Sequence, residues 1–335
     1  MKRYTGAGVS EGSRIAVITN DALGNFVVAT PLFQMLRSEL SPQCIDYFGG
    51  TRIAELALGS DLIDRFVPLH GESPRGFADA LTEPYDLVVN VEWTTWAKSA
   101  AAMLVGENGY VCGPCLDEEG RADLPFAEDD RGDLWRDQEW VSPEVTTRYP
   151  FLSTGFISEI FCRLAYLGGS IPAYRVRQQD PGGTVPDVLI AASASLQDKL
   201  WTVENWTAVV ETMIKSGTTV GLLGAPPKSQ KKYWLGADEE LAIVSAGAID
   251  LRGAFTLPEV VGALERCKLA LTLDNGILHL ACAAGAPTIG LYRHGIRRLW
   301  APPHPGLQVL EAQAGETVAS ISLAAVQAEV EKFWH

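Results

Sequence analysis

The stretch from Leu271 to Tyr292, LTLDNGILHLACAAGAPTIGLY, narrows the fold more than any other part of the chain. Leu269 to Leu273 is a short unbroken apolar run, the pattern of a strand buried on both faces. Asp274-Asn275-Gly276 breaks it. Ile277, Leu280, Ala281 and Ala284 then recur at helical spacing. Gly285 is a helix stop, Pro287 restarts the chain, and Thr288 to Tyr292 reads as the next strand. Two fully apolar strands joined by one helix make a parallel sheet covered on its faces. Polar groups at the carboxyl end of such a strand, facing a helix amino terminus, lie where open α/β sheets bind ligands.

The same rhythm runs through the rest of the chain. Arg14 to Ile18 is a strand, Thr19 to Asn25 a loop, and Val28, Leu32, Met35, Leu36 and Leu40 mark a helix face, with Pro31 a kink or late start. Strands are expected at Ile45 to Phe48, Arg65 to Leu69 and Asp86 to Val91, and helices at Ile53 to Leu58 and Phe77 to Leu81. The order then weakens. Residues 112–148 hold Cys112-Gly-Pro-Cys115, many acids and three prolines, and read as an irregular insertion or lid. Ile157 to Leu167 restores helical spacing. Residues 176–187 are polar and rich in Pro and Gly, the composition of a linker. A second series follows: a strand at Val188 to Ala192, a polar loop to Leu200, a helix from Trp201 to Lys215 with Thr202 as cap, and a strand at Thr219 to Leu223. A helix opened by Thr256-Leu-Pro258 leads into the opening stretch, and a terminal helix spans Val318 to Phe333. The expected architecture is α/β, two Rossmann-like domains with parallel sheets and a cleft between them, the usual place for a ligand. The domains fall at 14–175 and 188–315, preceded by a loose tail at 1–13 and followed by the terminal segment 316–335.

With 335 residues, 47% of them hydrophobic, each domain can bury its own core. A net charge of −14 argues against a broad face for nucleic acid and leaves room only for a local phosphate site. No apolar run is long enough to span a bilayer, and residues 1–13 have no hydrophobic segment behind their basic residues. Six cysteines without a secretion signal fit reduced thiols in a cytoplasmic chain.

Several residues carry candidate chemistry. Lys199, between a strand end and a helix start, can meet a phosphate together with backbone donors; a solvated loop lysine is the plainer reading. Asp274 can accept hydrogen bonds from sugar hydroxyls, and Gly276 lets a ligand approach the backbone. His279 lies on the first helical turn, where a packed, satisfied histidine is the alternative. Asp21 is a general base or a helix cap. Arg293-His-Gly-Ile-Arg297-Arg298 is the densest basic patch, placed at the cleft mouth for an anionic donor or acceptor. Cys112-Gly-Pro-Cys115 has the redox tetrapeptide of thioredoxins, but Asp117, Glu118 and Glu119 would raise its thiols, and no second such pair exists to complete a metal site.

Three of these segments together resemble the bacterial heptosyltransferases of glycosyltransferase family nine. Arg14-Ile-Ala-Val-Ile with Asp21-Ala-Leu-Gly-Asn-Phe-Val-Val-Ala-Thr-Pro-Leu is similar to the family's first strand, loop and helix. Ser193-Ala-Ser-Leu-Gln-Asp-Lys-Leu-Trp201, followed by Trp206, is similar to its donor-phosphate loop, and Asp274 to Tyr292 to its donor-sugar segment. Residues 93–150 fit poorly. The resemblance implies a GT-B fold whose terminal helix crosses back to the first domain. It implies inverting, metal-independent transfer from ADP-heptose with no further cofactor. Lys199 would hold the diphosphate with Ser193 and Ser195 nearby; Asp274, Asn275, Gly276 and His279 would line the donor pocket. The family usually has Gly-Asp where this chain has Gly24-Asn25, and that acid is the expected base. Either Asp21 substitutes, or the acceptor needs no strong base, or the chain is a non-catalytic nucleotide-sugar or partner-binding module. The usual Gly-Pro-Thr after the signature strand is Arg293-His294-Gly295, and an acid expected near Gly224 is replaced by Ala225-Pro-Pro-Lys. Acceptors other than lipopolysaccharide, such as a small natural product or a protein side chain, therefore enter the expectation.

Overall fold

A computed structural model describes residues 1–70, 81–137, 139–229 and 234–333. The chain divides into two compact units, Met1–Arg177 and Gln178–His335. The helix expected at Phe77 to Leu81 lies, apart from Leu81, outside the described residues.

The first unit is built on β1 (Lys2–Arg3), β2 (Arg14–Ile18), β3 (Cys44–Gly50), β4 (Arg65–His70), β5 (Tyr85–Asn90) and β6 (Val105–Cys112). All pairings are parallel, in the order β1-β6-β5-β2-β3-β4. Ile15, Ala16, Val17 and Ile18 of the central strand have no exposed surface, so the apolar run at 14–18 is a strand covered on both faces. The helix Leu23–Leu40 runs unbroken past Pro31. Proline cannot donate to Val27, four residues back. The Thr30 hydroxyl takes over that carbonyl at 2.7 Å, which is why no break appears.

Three expectations for this unit need correction. Residues 1–13 are not a loose tail, because Lys2 and Arg3 pair with Tyr110 and Val111 of β6. Tyr4 is buried against the rings of Tyr110 and Tyr166. The Arg3 guanidinium donates to the carbonyls of Gly113, Leu124 and Pro125. Two strand residues are too few for periodicity to reveal. Secondly, the chain keeps its order after β5: a helix at Thr95–Leu104 and strand β6 follow directly. Their Ala-rich and Gly-rich sequences carry little hydrophobic contrast. Thirdly, 112–148 is not irregular throughout. It holds helices at Asp130–Arg136 and Val145–Arg148. Asp129 caps the first, its carboxylate accepting from the amides of Arg131 and Gly132. Leu134 and Trp135 are buried, with Trp135 stacked on Phe126 at 5.7 Å.

The second unit has β7 (Val188–Ala191), β8 (Val220–Leu222), β9 (Ile249–Asp250), β10 (Leu269–Leu273), β11 (Thr288–Tyr292) and β12 (Leu307–Glu311), again all parallel, in the order β12-β11-β10-β7-β8-β9. This is the doubly wound order of dinucleotide-binding folds. The helices Val203–Lys215 and Leu257–Arg266 are capped by Thr202 and by a Thr256–Glu259 capping box. Gly290 in β11 permits the close approach of the helix Gly276–Ala283. A Cβ there would lie 2.6 Å from Leu278 Cδ1 and 2.7 Å from the Tyr292 ring.

The boundary sits between Arg177 and Gln178, so most of the expected linker is part of the second unit. Gln179 donates its amide to Pro258, and Arg266 pairs with Asp180 at 2.8 Å. The helix Leu323–Glu331 also packs within this unit. Val326 and Val330 share the core of Trp201, Trp206 and Val209, and the Trp201 indole donates to Ile321 at 2.7 Å.

Candidate active site

In the second sheet β7 and β10 lie side by side. The chain leaves β7 toward β8 on one side and leaves β10 toward β11 on the other. Their two following loops therefore diverge and open a crevice at the carboxyl edge, the topological switch point. Every donor-side residue expected from the sequence stands in these two loops or at their rims.

Asn275 ties the loops together. Its Oδ1 accepts from the amides of Ile277 and Leu278, capping the helix Gly276–Ala283, while its Nδ2 donates to Ser193 O at 3.0 Å and Ala191 O at 3.3 Å. Both ends of its amide are used by the protein. Its side chain thus builds the crevice. The β7 loop is held from its other side, where Ala194 and Leu235 exchange backbone hydrogen bonds.

Lys199 lies in the short turn Gln197–Lys199 and reaches across this frame. Its Nζ is 2.6 Å from Asp274 Oδ2 and 3.2 Å from the Asp274 carbonyl. Side-chain exposure is 15% for Lys199 and 6% for Asp274, so the pair is largely withdrawn from water. An ammonium has three N–H donors, and two are used here. The third has no acceptor among the described residues.

His279, one helical turn beyond Gly276, is 3% exposed. Burial drives its pKa down to about 4, the Lys199 ammonium adds to that shift, and the Asp274 carboxylate opposes it. The imidazole is neutral at physiological pH. It offers a hydrogen bond and no charge.

The basic segment after β11 divides. Arg293 Nη1 bonds Asp198 Oδ2 at 2.9 Å, joining that segment to the turn that carries Lys199. Arg297 is exposed at the start of the helix Arg297–Trp300. Arg293, expected beside Arg297, is thus tied to the turn that carries Lys199. Ser193 is half-buried and Ser195 exposed in the β7 loop.

Sequence reasoning missed a buried network on the same carboxyl edge. Arg252 donates to both oxygens of Asp250 and, at 3.1 Å, to Glu240, which has no exposed surface. Glu240 Oε1 would lie 3.2 Å from a Cβ placed on Gly224. An acid thus stands near Gly224 after all, delivered by the helix Ala237–Ser245. Its distance in sequence hid it.

The first sheet has its own switch point, between β2 and β5. Asp21 follows β2, and Arg52 grips both its oxygens, Nε to Oδ2 at 3.0 Å and Nη2 to Oδ1 at 2.6 Å. Gly50, at the end of β3, is needed beside it: a Cβ there would lie 1.8 Å from the Asp21 Cβ. Asp21 does not cap the following helix, whose cap position is Ala22. Asn25 is half-buried on that helix's first turn. Glu92, after β5, was not foreseen; its Oε1 accepts from the amides of Trp93 and Thr94.

Cys112 and Cys115 are both buried. Burial pushes the Cys112 thiol up to about 12 and the Cys115 thiol to about 11, outweighing the nearby Arg3. Neither supplies a thiolate at neutral pH. Among the described residues no group of three or more His, Cys, Asp or Glu side chains is placed to hold a metal ion, and no helix is long and apolar enough to cross a membrane.

Residues 167–319 match the model of glycosyltransferase family 9 (heptosyltransferase), a span that contains Lys199, Asp274, His279 and Arg293. No curated protein sequence matches the chain. Among solved structures, a family 9 glycosyl transferase from Veillonella parvula superposes with a TM-score of 0.74 at 17% identity, covering 96% of this chain and 97% of that one. The ADP-heptose lps heptosyltransferase II of E. coli gives 0.69 at 17% identity, over 96% and 98%. The dodecameric, iron-containing heptosyltransferase TibC of enterotoxigenic E. coli, in complex with ADP-D-β-D-heptose, gives 0.60 at 16% identity, over 98% and 78%. Two parallel six-stranded sheets with these neighbours make the fold GT-B, as the resemblance implied.

Proposed function

We propose, for a chain that is a glycosyltransferase with the GT-B fold of the heptosyltransferases, transfer of a heptose from ADP-heptose to an acceptor hydroxyl by inverting, metal-independent displacement. The observation that carries this reading is the Lys199–Asp274 pair at the switch point of the second sheet. Departure of the sugar leaves negative charge on the diphosphate. The Lys199 ammonium stabilises that charge at a site largely closed to water, where one cation counts for more than at an open surface. Asp274 holds the ammonium in place and presents its remaining lone pairs to the sugar hydroxyls. Neutral His279 packs beside the pair without repelling the Lys199 ammonium. Ser193 and Ser195 line the phosphate side.

Asp21 is the proposed base of the first unit, since Asn25 cannot take a proton. The Arg52 fork fixes the orientation of its carboxylate. The expected acceptor is a small natural product or a protein side chain in the cytosol. Transfer is expected to proceed in EDTA; its loss there, with recovery on adding iron, would assign a metal step instead.

The experiment is turnover of ADP-heptose by the native chain and by Lys199→Ala and Asp274→Ala variants. Both substitutions are expected to lower transfer at least a hundredfold, the scale of removing one charge-stabilising donor. Unchanged turnover in both would end the reading. The grip of Arg52 on Asp21, together with Asn25, favours one alternative, a module that binds the nucleotide sugar without transferring it. Tight donor binding by titration calorimetry, with neither hydrolysis nor transfer to any acceptor pool, would establish that alternative.

A further inference from the structure

Lys199 has an acidic neighbour in the chain. Asp198 occupies the same turn, so a carboxylate rides one residue from the ammonium that would meet the donor. A diphosphate brings negative charge to that turn, and a free Asp198 would repel it. Arg293 answers this by chain geometry. It is the first residue beyond β11, and β11 lies next to β10, so its side chain projects from the same carboxyl edge that bears Asp274. From there Nη1 takes Asp198 Oδ2 at 2.9 Å. Asp198 Oδ1 and Arg293 Nε are buried with no hydrogen-bond partner among the described residues. The contact is therefore one charge-assisted bond rather than a closed fork. The charges around the crevice are two cations, Lys199 and Arg293, against two carboxylates, Asp198 and Asp274, with His279 neutral. Without Arg293 the balance is one cation against two carboxylates.

We infer that Arg293 is a positioning residue for the donor diphosphate. It acts through Asp198, holding and neutralising that carboxylate so that the crevice around Lys199 presents no net negative charge to the incoming anion. Lys199–Asp274 sets the cation in place, and Arg293–Asp198 keeps the adjacent acid from cancelling it. The inference rests on the reading that Lys199 receives the diphosphate.

The test uses ADP and adenosine as probes, with affinities from titration calorimetry and folding checked by thermal unfolding. Arg293→Ala is expected to weaken ADP about tenfold, the scale of one uncompensated charge in a partly closed site. Adenosine, which lacks the phosphates, should change less than about twofold. Asp198→Asn in the Arg293→Ala background should restore ADP affinity to within about threefold of native. Arg293→Lys should keep it, and Asp198→Asn alone should bind ADP at least as tightly as the native chain. A double variant as weak as Arg293→Ala, equal losses for ADP and adenosine, or a weaker Asp198→Asn would each overturn the inference. Lys199→Ala separates the two claims. If it leaves ADP affinity unchanged, the diphosphate reading itself fails. If it abolishes binding while the Arg293 series shows no charge compensation, only the role given to Arg293 fails. Should Arg293→Ala not fold, Arg293→Lys and the single Asp198→Asn variant decide.

Discussion

His279 makes the stability of this chain sensitive to mild acid in a calculable way. Burial holds its pKa at about 4 in the folded chain, against an ordinary value of 6.5. Between those values the unfolded chain binds a proton that the folded chain refuses. Stability is therefore intact above about pH 7 and is lost as the pH falls through that window. The whole effect is about 3 kcal/mol, of which about 2 kcal/mol is lost by pH 5. The perturbation is His279→Gln, which keeps a neutral hydrogen-bonding side chain of similar reach and removes the titration. Carboxylates also titrate in this range, so the readout is a difference between two proteins. Urea unfolding of both, at pH 7.5 and pH 5, should show the native chain losing about 2 kcal/mol more than the variant. Parallel pH dependences would refute the argument, since they would mean that His279 is not held neutral by its surroundings.

Other outcomes follow from the same geometry. Lys199→Met leaves the Asp274 carboxylate buried and unpaired and should cost about 3 kcal/mol, with Asp274→Asn in the same background recovering most of it in chemical denaturation. Lys199→Met also removes a cation that depresses His279, so the acid transition should move to higher pH, which NMR titration of the imidazole would report. Gly290→Val forces the helix Gly276–Ala283 off β11 and should destabilise the second unit by about 2 kcal/mol, read as a lower denaturant midpoint. Under native conditions at pH 8, half-buried Cys44 should react first with a thiol reagent, and Cys112 and Cys115 only on unfolding. Rapid modification of the latter two would contradict their burial.

The sequence was legible where one residue type recurs with a single meaning. β10, β11 and the helix between them stand within a residue of their expected bounds, because fully buried strands are uninterrupted apolar runs. Lys199 and Asp274 were each singled out, as a phosphate group and a sugar-hydroxyl acceptor, but their direct pairing at 2.6 Å was not foreseen. Elements were missed where composition gives no contrast: the Ala-rich helix Thr95–Leu104, the two-residue β1 and β9, and the half-exposed edge strand β12. Partners that arrive from elsewhere in the fold were also hidden. Arg52 reaches Asp21 from the end of β3, Glu240 reaches Gly224 from a helix, and Arg293 reaches Asp198 across three strands of sheet order. The capping role of Asn275 was hidden for a related reason. An Asn beside a ligand and an Asn capping a helix look alike in sequence, and only its four hydrogen bonds distinguish them.

The two residues of β1 have a consequence for solubility. An open parallel sheet ends in rows of unsatisfied amides and carbonyls that invite pairing with another molecule. The outer edge of β6 at Tyr110 and Val111 is such a row, and Lys2 and Arg3 cover it. Both are basic, Lys2 is exposed, and Arg3 turns its guanidinium back onto the carbonyls of Gly113, Leu124 and Pro125. The strand is too short and too charged to serve as a template in turn. It acts as an end-stop that limits sheet growth between molecules, so the opening residues guard against self-association by the unit they complete.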